Sequence, residues 1–267
     1  MPQNPGVGMR CFLLASLALM PLPALAEPGP LPATGQADYQ LGGGYPLPPG
    51  VTIVARDSQD LPVPGAFNIC YVNGFQTQPG EVWPADLLLR GPNGEPLADP
   101  NWPDEYLLDL STPGQRAANL ALILPAIRSC AGKGFAAIEF DNLDSYARSG
   151  GALSDADALS FAAMLVDAAR AAGLAAGQKN APDLGRKGRD EAGFAFAVAE
   201  SCHRWQECAA YTEVYGKDQV IGIEYAGDEG DGFDAACTDP DRPARLILRD
   251  RLLRPAGAEG HVFRMCE

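Results

Sequence analysis

The sequence lacks the features that mark several common classes of enzyme. Only two of its 267 residues are histidines, His203 and His261, so a serine-type catalytic triad would have to use one of them. Neither a Gly-x-Ser-x-Gly elbow nor a glycine-rich phosphate loop is present. No Gly-x-Gly-x-x-Gly motif follows the first predicted strand, which argues against a dinucleotide-binding fold.

Basic residues are scarce in the chain. It has 20 Lys and Arg against 34 Asp and Glu, a formal net charge of −14 at pH 7. Nucleic acid is therefore not an expected partner, because phosphate binding needs a basic face. An acidic surface attracts cationic ligands, although acidic residues also simply keep a secreted protein soluble.

No run of about 20 apolar residues is present, the length that a membrane-spanning helix needs, so we expect no membrane anchor. A shorter run, Cys11–Leu22, follows Arg10 and precedes Ala24-Leu25-Ala26, a small-x-small cleavage pattern. Residues 1–26 therefore predict a signal peptide, and the protein is expected to be secreted or periplasmic.

The residues that follow the predicted signal peptide are expected to form a single domain. Residues 27–36 are rich in Pro and Gly and predict a flexible lead-in. Residues 37–267 contain no low-complexity linker, and α/β barrels reach this length undivided. We expect a monomer.

The cysteines outside the predicted signal peptide number six, an even count that suits disulfides in an oxidising compartment. Cys202 and Cys208 are close in sequence, and Cys237 and Cys266 bracket the C-terminal segment, so each pair is a candidate bridge. Cys70 lies in an apolar strand and either pairs with Cys130 or remains a buried thiol. A zinc site is the competing interpretation, but no Cys-x-x-Cys spacing supports it.

Short apolar segments alternate with helix-length segments in the second half of the chain, as in a parallel β/α fold. One predicted helix covers Gln115–Ala131, and another starts at a Ser154/Asp157 capping box and ends at Gly173. About eight principal strands favour an eight-fold β/α (TIM) barrel over a doubly wound sheet. The predicted strands are Tyr39–Leu41, Val51–Ala55, Phe67–Val72, Phe135–Phe140, Leu174–Gly177, Phe194–Ala199, Val220–Ile223 and Leu246–Leu248, and Tyr106–Leu110 is a further short extended segment.

Polar residues follow four consecutive predicted strands. They are Asp141-Asn142, Lys179-Asn180, Glu200 and Glu224-Tyr225. In a barrel the carboxyl ends of the strands share one rim, so these groups are predicted to converge on one pocket. The alternative for Asp141 and Asn142 is an Asx turn that only caps the next segment.

Two carboxylates facing each other across a pocket are what glycosidic bond cleavage requires. Lys179 nearby would favour the ionised form of one of them. A hard-metal site built from Asp141, Glu200 and Glu224 is the competing interpretation; we expect neither metal nor cofactor. Trp83 and Trp102 lie in a long excursion between Gln76 and Pro103, where an aromatic face either stacks on a sugar ring or covers a core edge.

Five segments resemble, in order, the motifs of glycoside hydrolase family 114, in particular a bacterial subgroup. The segments are Ile69–Val72, Glu139–Tyr146, Gly177–Asn180, Phe196–Cys202 and Ile223–Tyr225. Phe140 and Ala199 depart from the residues that are common in the family at these positions.

The resemblance implies a barrel fold and endo-α-1,4-polygalactosaminidase activity on cationic, partly deacetylated galactosamine polymers, with Asp141 and Glu200 as the catalytic acids. Substrate-binding candidates are Asn142, Asp144, Tyr146, Lys179, Asn180, Glu224 and Tyr225. For Glu224 the alternative is a rim salt bridge with Lys179, and His203 is expected to be a surface residue. Two rival functions remain: a non-catalytic carbohydrate-binding or matrix protein on the same barrel, and a glycosidase for another α-linked sugar.

Overall fold

The computed structural model describes residues 1–3, 29–228 and 232–266. Within them, nine strands form one sheet in which spatial neighbours follow chain order. The first eight strands are parallel and the ninth is antiparallel to the eighth. The strands are β1 (Gln36–Gln40), β2 (Val51–Asp57), β3 (Phe67–Asn73), β4 (Ala137–Asp141), β5 (Ala175–Lys179), β6 (Phe196–Glu200), β7 (Val220–Tyr225), β8 (Arg245–Arg249) and β9 (Phe263–Met265).

Helices connect most of the strands in the second half of the sheet. They are α1 (Pro113–Lys133), α2 (Ser145–Arg148), α3 (Asp155–Ala171), α4 (Cys208–Tyr215) and α5 (Phe233–Thr238). The Thr112 hydroxyl caps α1 by accepting from the Gln115 amide at 3.2 Å. The predicted capping box of Ser154 and Asp157 starts α3, so this prediction is confirmed.

The sheet curls until β8 lies beside β1. Two buried arginines of β8 span the seam: Arg249 Nη1 donates to Asp38 Oδ1 at 2.9 Å, and Arg245 Nε donates to the Gly35 carbonyl at 2.9 Å. Alternate strand residues point inward, where Ile53 and Ile69 help to fill the barrel. The other residues pack outward against α1 and α3. The predicted eight-fold β/α barrel is confirmed.

Some element bounds differ from those predicted. β4 starts at Ala137 because Gly134, with φ 94°, ends α1 and residues 135–136 form the turn into the strand. Tyr106–Leu110 is extended but lies outside the barrel sheet, since it forms only isolated antiparallel bridges, for example Gln76 with Leu107. The antiparallel β9 is not predicted by the sequence.

The predicted lead-in, residues 27–36, is attached to the barrel in its described part. Leu31 is buried, and its amide donates to Gln219 Oε1 at 2.8 Å. Gln36 already belongs to β1. Apart from residues 1–3, the predicted signal peptide lies outside the described residues. In the part of the chain that is described, no helix has the length and apolar character needed to cross a membrane.

Three disulfides are formed. Cys70 of β3 bonds to Cys130 of α1, Cys202 bonds to Cys208 at the start of α4, and Cys237 of α5 bonds to Cys266. The two candidate bridges are confirmed, and Cys70 takes the paired rather than the free state. Three disulfides are typical of proteins that fold in an oxidising compartment.

Candidate active site

A cavity of about 840 Å³ opens at the carboxyl ends of the parallel strands, where barrel enzymes carry their active sites. Five successive strands each place a polar side chain in its wall. From β3 to β7 these are Tyr71, Asp141, Lys179, Glu200 and Tyr225. The predicted convergence of polar strand ends therefore occurs.

Lys179 lies at the centre of this group and is almost fully buried, with 2% of its side chain exposed. Its Nζ is 3.2 Å from Asp141 Oδ2 and 3.2 Å from Glu200 Oε2. These two oxygens are therefore no more than twice that distance apart. The rings of Tyr39 and Tyr71 lie 5.4 and 5.6 Å from the same nitrogen, and their faces attract the ammonium group further.

Asp141 is held as a carboxylate by three donors. The Tyr71 hydroxyl donates to Oδ2 at 2.8 Å, Lys179 contacts the same oxygen, and the Asn142 amide donates to Oδ1 at 2.7 Å. Burial by itself raises the pKa of Asp141, but the lysine charge and these hydrogen bonds outweigh burial and lower the pKa below its ordinary value. Asp141 is therefore ionised at neutral pH.

Glu200 is fixed by a different set of neighbours. Asn180 Nδ2 donates to Glu200 Oε2 at 3.0 Å, and the Tyr225 hydroxyl donates to Oε1. Asn180 also accepts from the Glu200 backbone amide at 2.8 Å, so one asparagine orients both the strand end and its carboxylate. About a quarter of the Glu200 side chain is exposed to the cavity, which leaves it accessible to a ligand.

The backbone turns sharply after each of the three central strands. Asn142, Asn180 and Ser201, which follow Asp141, Lys179 and Glu200, have φ values of 62°, 48° and 54°. Non-glycine residues rarely adopt this left-handed region, and such strain clusters at functional sites. Asparagine tolerates it best, which explains why Asn142 and Asn180 stand where they do.

A second group of charges lines the cavity beside Asp141. Arg148 forms ion pairs with Asp99 at 2.6 Å and with Asp144 at 2.9 Å, and its Nη2 donates to Asn142 Oδ1 at 3.1 Å. Glu105 accepts from Asn73 Nδ2 at 3.0 Å. Burial and the nearby Asp141 and Asp99 charges raise the pKa of Glu105 to about 7, although the Asn73 hydrogen bond opposes this.

Most of the predicted ligand-binding residues line this cavity together with Asp141 and Glu200. They are Asn142, Asp144, Lys179, Asn180 and Tyr225. Tyr146 and Glu224 do not line it. The Tyr146 hydroxyl donates to Asp183 at 2.6 Å, and Glu224 accepts from the His203 amide at 2.9 Å beside a separate cavity of about 220 Å³. Glu224 forms no ion pair with Lys179, whose partners are Asp141 and Glu200.

A metal site has no geometric support among the described residues, where no three His, Cys, Asp or Glu side chains are grouped to hold an ion. The Lys179 ammonium lies between Asp141 and Glu200, where a cation would have to sit. The third acid of that interpretation, Glu224, lies outside the cavity.

Sequence reasoning missed several residues of the cavity wall: Tyr39, Tyr71, Asp99, Glu105, Arg148, Trp205 and Glu207. For Tyr71 a signal existed, because alternate residues of a strand share a face and Tyr71 follows the apolar Ile69 by two residues. Asp99, Glu105, Trp205 and Glu207 lie in irregular segments, where no periodic sequence pattern indicates which side chains face the cavity.

Glu139 is a fully buried carboxyl on the same strand as Asp141. It precedes Asp141 by two residues, so both point into the barrel. Its Oε1 accepts from the Tyr39 hydroxyl, whereas its Oε2 has no hydrogen-bond partner among the described residues. Burial raises the pKa of Glu139 to about 7, against the lowering effect of Lys179 and Tyr39. The group therefore titrates near neutrality.

Glu139→Gln is expected to flatten the pH dependence of stability. The pKa of Glu139 is higher in the folded protein than its ordinary value of 4.5, so its stabilising contribution is present below that pH and is lost as the pH rises through about 7. The loss amounts to up to about 3 kcal/mol, and Gln, which cannot ionise, removes it. Urea unfolding at about pH 5 and about pH 8 measures the effect. The exposed Glu259→Gln is the control; an unchanged pH slope in Glu139→Gln would contradict the assignment.

The sequence matches the family model of glycoside-hydrolase family GH114 over residues 21–267. No curated protein matches it. Among solved structures, Ega3 from Aspergillus fumigatus, in a complex with galactosamine, has a TM-score of 0.68 and 20% identity, covering 93% of this chain and 100% of that one. The glycoside hydrolase domain of PelA from Pseudomonas aeruginosa has a TM-score of 0.57 and 15% identity, covering 86% and 98%. Because the family match spans nearly the whole chain, we conclude that it belongs to family GH114 and is a glycoside hydrolase.

Proposed function

We propose that the protein is a secreted or periplasmic hydrolase of α-1,4-linked, galactosamine-containing polysaccharides, with Asp141 and Glu200 as its catalytic pair. The observation that carries the proposal is the contact of both carboxylates with Lys179 Nζ at 3.2 Å. A glycosidase needs two acids facing one sugar ring, and a shared buried cation fixes them at that spacing.

The spacing supports a retaining mechanism. Retaining glycosidases hold their carboxyl groups about 5–5.5 Å apart and inverting ones about 6.5–9.5 Å. The two Lys179 contacts of 3.2 Å hold the facing oxygens close enough for the retaining arrangement. Asp141, ionised through its neighbours, suits the nucleophile. Glu200, about a quarter of which is exposed to the cavity, is then the group that protonates the leaving oxygen.

In the first step Asp141 attacks the anomeric carbon while Glu200 gives its proton to the glycosidic oxygen, so the glycosidic bond breaks and a glycosyl ester forms. In the second step Glu200 accepts a proton from water, which attacks the anomeric carbon and releases Asp141. Tyr71 and Lys179 hold the nucleophile in place through both steps, and they require no rearrangement because the contacts already exist.

The proposed substrate class is supported by the charge of the chain and by its similarity to a solved structure. Galactosamine units that lack acetyl groups are cationic, and the chain carries a net charge of −14 with acids around the cavity. Ega3, which shares the fold, was solved with galactosamine. The three disulfides and the predicted signal peptide support a location outside the cytoplasm.

The rival function is a carbohydrate-binding protein without turnover. A cavity filled by Phe140 would favour it, but Phe140 packs in the outer core between sheet and helices, and the cavity stays open. The deciding experiment is product release from partly deacetylated α-1,4-galactosamine polymer, followed by chromatography. We expect oligosaccharides. Polymer binding without products would show that the protein is a carbohydrate-binding protein without turnover. Cleavage only of another α-linked glycan would show that the proposed substrate is wrong.

A further inference from the structure

Two exposed tryptophans line the catalytic cavity. Trp102 and Trp205 each have 60% of their surface exposed, although tryptophan is the largest side chain available for burial. Trp83 shows the contrast: it packs against the core, and its Nε1 donates to Asn119 Oδ1 at 2.9 Å. Trp83 is therefore structural, whereas Trp102 and Trp205 leave an aromatic face uncovered at the cavity.

The exposure does not come from unrestrained loops. The Trp102 amide donates to Asp99 Oδ1 at 3.2 Å, and Asp99 is buried and ion-paired with Arg148. Trp205 lies within the short loop closed by the Cys202–Cys208 disulfide. The Arg204 guanidinium covers one face of the Trp205 ring at 4.9 Å. Both rings are thus presented on fixed backbone, which keeps the entropic cost of binding small.

The two tryptophans belong to loops that follow different strands of the barrel. Trp102 belongs to the segment after β3 and Trp205 to the segment after β6, and in the sheet these strands are separated by β4 and β5. Asp141 and Lys179 stand at the ends of those two intervening strands. Glu200 ends β6 itself. A linear polymer that reaches from one ring to the other therefore passes the rim that carries Asp141, Lys179 and Glu200.

Each tryptophan has an acidic neighbour that also lines the cavity: Glu105 follows Trp102 by three residues, and Glu207 follows Trp205 by two. Neither forms an ion pair with a basic side chain in the described part of the chain, unlike Asp99, Asp141 and Glu200. Burial raises the pKa of both groups. An incoming ammonium group would favour the ionised carboxylate and gain a partner that the protein does not supply.

We propose that Trp102 with Glu105, and Trp205 with Glu207, form two hexosamine subsites on the two sides of the catalytic pair. The ring stacks on the apolar face of one sugar, and the glutamate receives its ammonium group. The inference rests on the proposed function and deepens it: the preferred substrate is a polymer long enough to occupy both subsites, with unacetylated amino groups at both positions.

The test compares variants on long and short substrates. Trp102→Ala and Trp205→Ala are each expected to lower kcat/KM on deacetylated α-1,4-galactosamine polymer about tenfold, and the double variant about 100-fold, because separate sites add in free energy. Cleavage of the shortest oligosaccharide that the wild type accepts should change much less in at least one single variant. The exposed Leu61→Ala, which lies outside the cavity, is the control. Equal activity of both single variants and wild type on polymer would overturn the proposal.

The glutamates are tested by acetylation. Glu105→Gln and Glu207→Gln are expected to reduce the preference for deacetylated over fully acetylated polymer about tenfold. Glu213→Gln, exposed on α4, is the matched control. An unchanged preference in both variants would overturn the role of the carboxylates.

Binding is measured in parallel with Asp141→Asn protein, by tryptophan fluorescence and calorimetry with a deacetylated α-1,4-galactosamine oligosaccharide. If wild type releases no product but this binding is lost in the Trp variants, the subsites stand and the proposed hydrolysis fails. If no binding occurs, both fail.

Discussion

Asp141→Asn and Glu200→Gln are each expected to lower turnover about 10³-fold or more. Removing a nucleophile or a general acid costs at least this much in enzymes whose groups act as a unit. Both changes keep the volume of the side chain, so Asn at 141 can still accept from the Tyr71 hydroxyl and Gln at 200 from Tyr225. The loss should therefore fall on kcat, with the polymer still bound. Initial rates of product release and a binding isotherm separate the two effects.

The control for these variants is Asp167→Asn, which changes an exposed acid on α3 and should leave turnover unaltered. NMR of the first product adds a test of geometry, since the retaining mechanism predicts that the released reducing end initially keeps the configuration of the substrate. Activity of either variant within tenfold of wild type would remove that residue from the catalytic pair.

Lys179→Met is expected to damage both stability and activity. Removing one partner of a buried ion pair typically costs about 3–5 kcal/mol, because a charge is left uncompensated. The lysine also keeps the pKa of Asp141 low, so without it we expect the acidic limb of the pH–rate profile to move to higher pH. Met preserves the length of the side chain and therefore isolates the effect of the charge.

Urea unfolding and a pH–rate profile measure the two consequences. Lys187→Met provides the comparison, because Lys187 pairs with Asp155 on the surface and half of it is exposed. That variant should match wild type in both measurements. An acidic limb that stays in place in Lys179→Met would show that the lysine does not control the ionisation of Asp141.

The barrel and its central residues follow from the sequence for a simple physical reason. Parallel strands that are buried on both faces consist of apolar runs, and in a barrel the carboxyl ends of all these strands lie at the same rim. The polar residue that ends each run must therefore lie at this rim. Asp141, Lys179 and Glu200 can be predicted in this way without knowledge of any contact. Asn142 and Asn180 directly follow Asp141 and Lys179 in the sequence, so the same argument places them at the rim.

Other parts of the site have no such rule. Glu105 and Trp205 reach the cavity through irregular segments, whose paths depend on bridges and a disulfide rather than on periodicity. Glu224 is followed by Tyr225, which ends β7, and successive strand residues point to opposite faces. Tyr225 therefore lines the cavity with Asp141, whereas Glu224 accepts from the His203 amide beside a separate cavity. A position near the end of a strand places a residue at the rim of the barrel, but it does not determine which way the side chain points.

The Cys70–Cys130 disulfide has a consequence for the effect of proteolysis on the chain. It closes a covalent ring that contains the whole excursion after β3, including Trp102 and Glu105. Extracellular proteases cut exposed loops of this kind first. A single cut within the ring leaves both fragments covalently joined, and the barrel strands on either side remain paired through β3 and β4. The protein can thus carry a long substrate-facing loop and tolerate a nick in it without losing a piece of its chain.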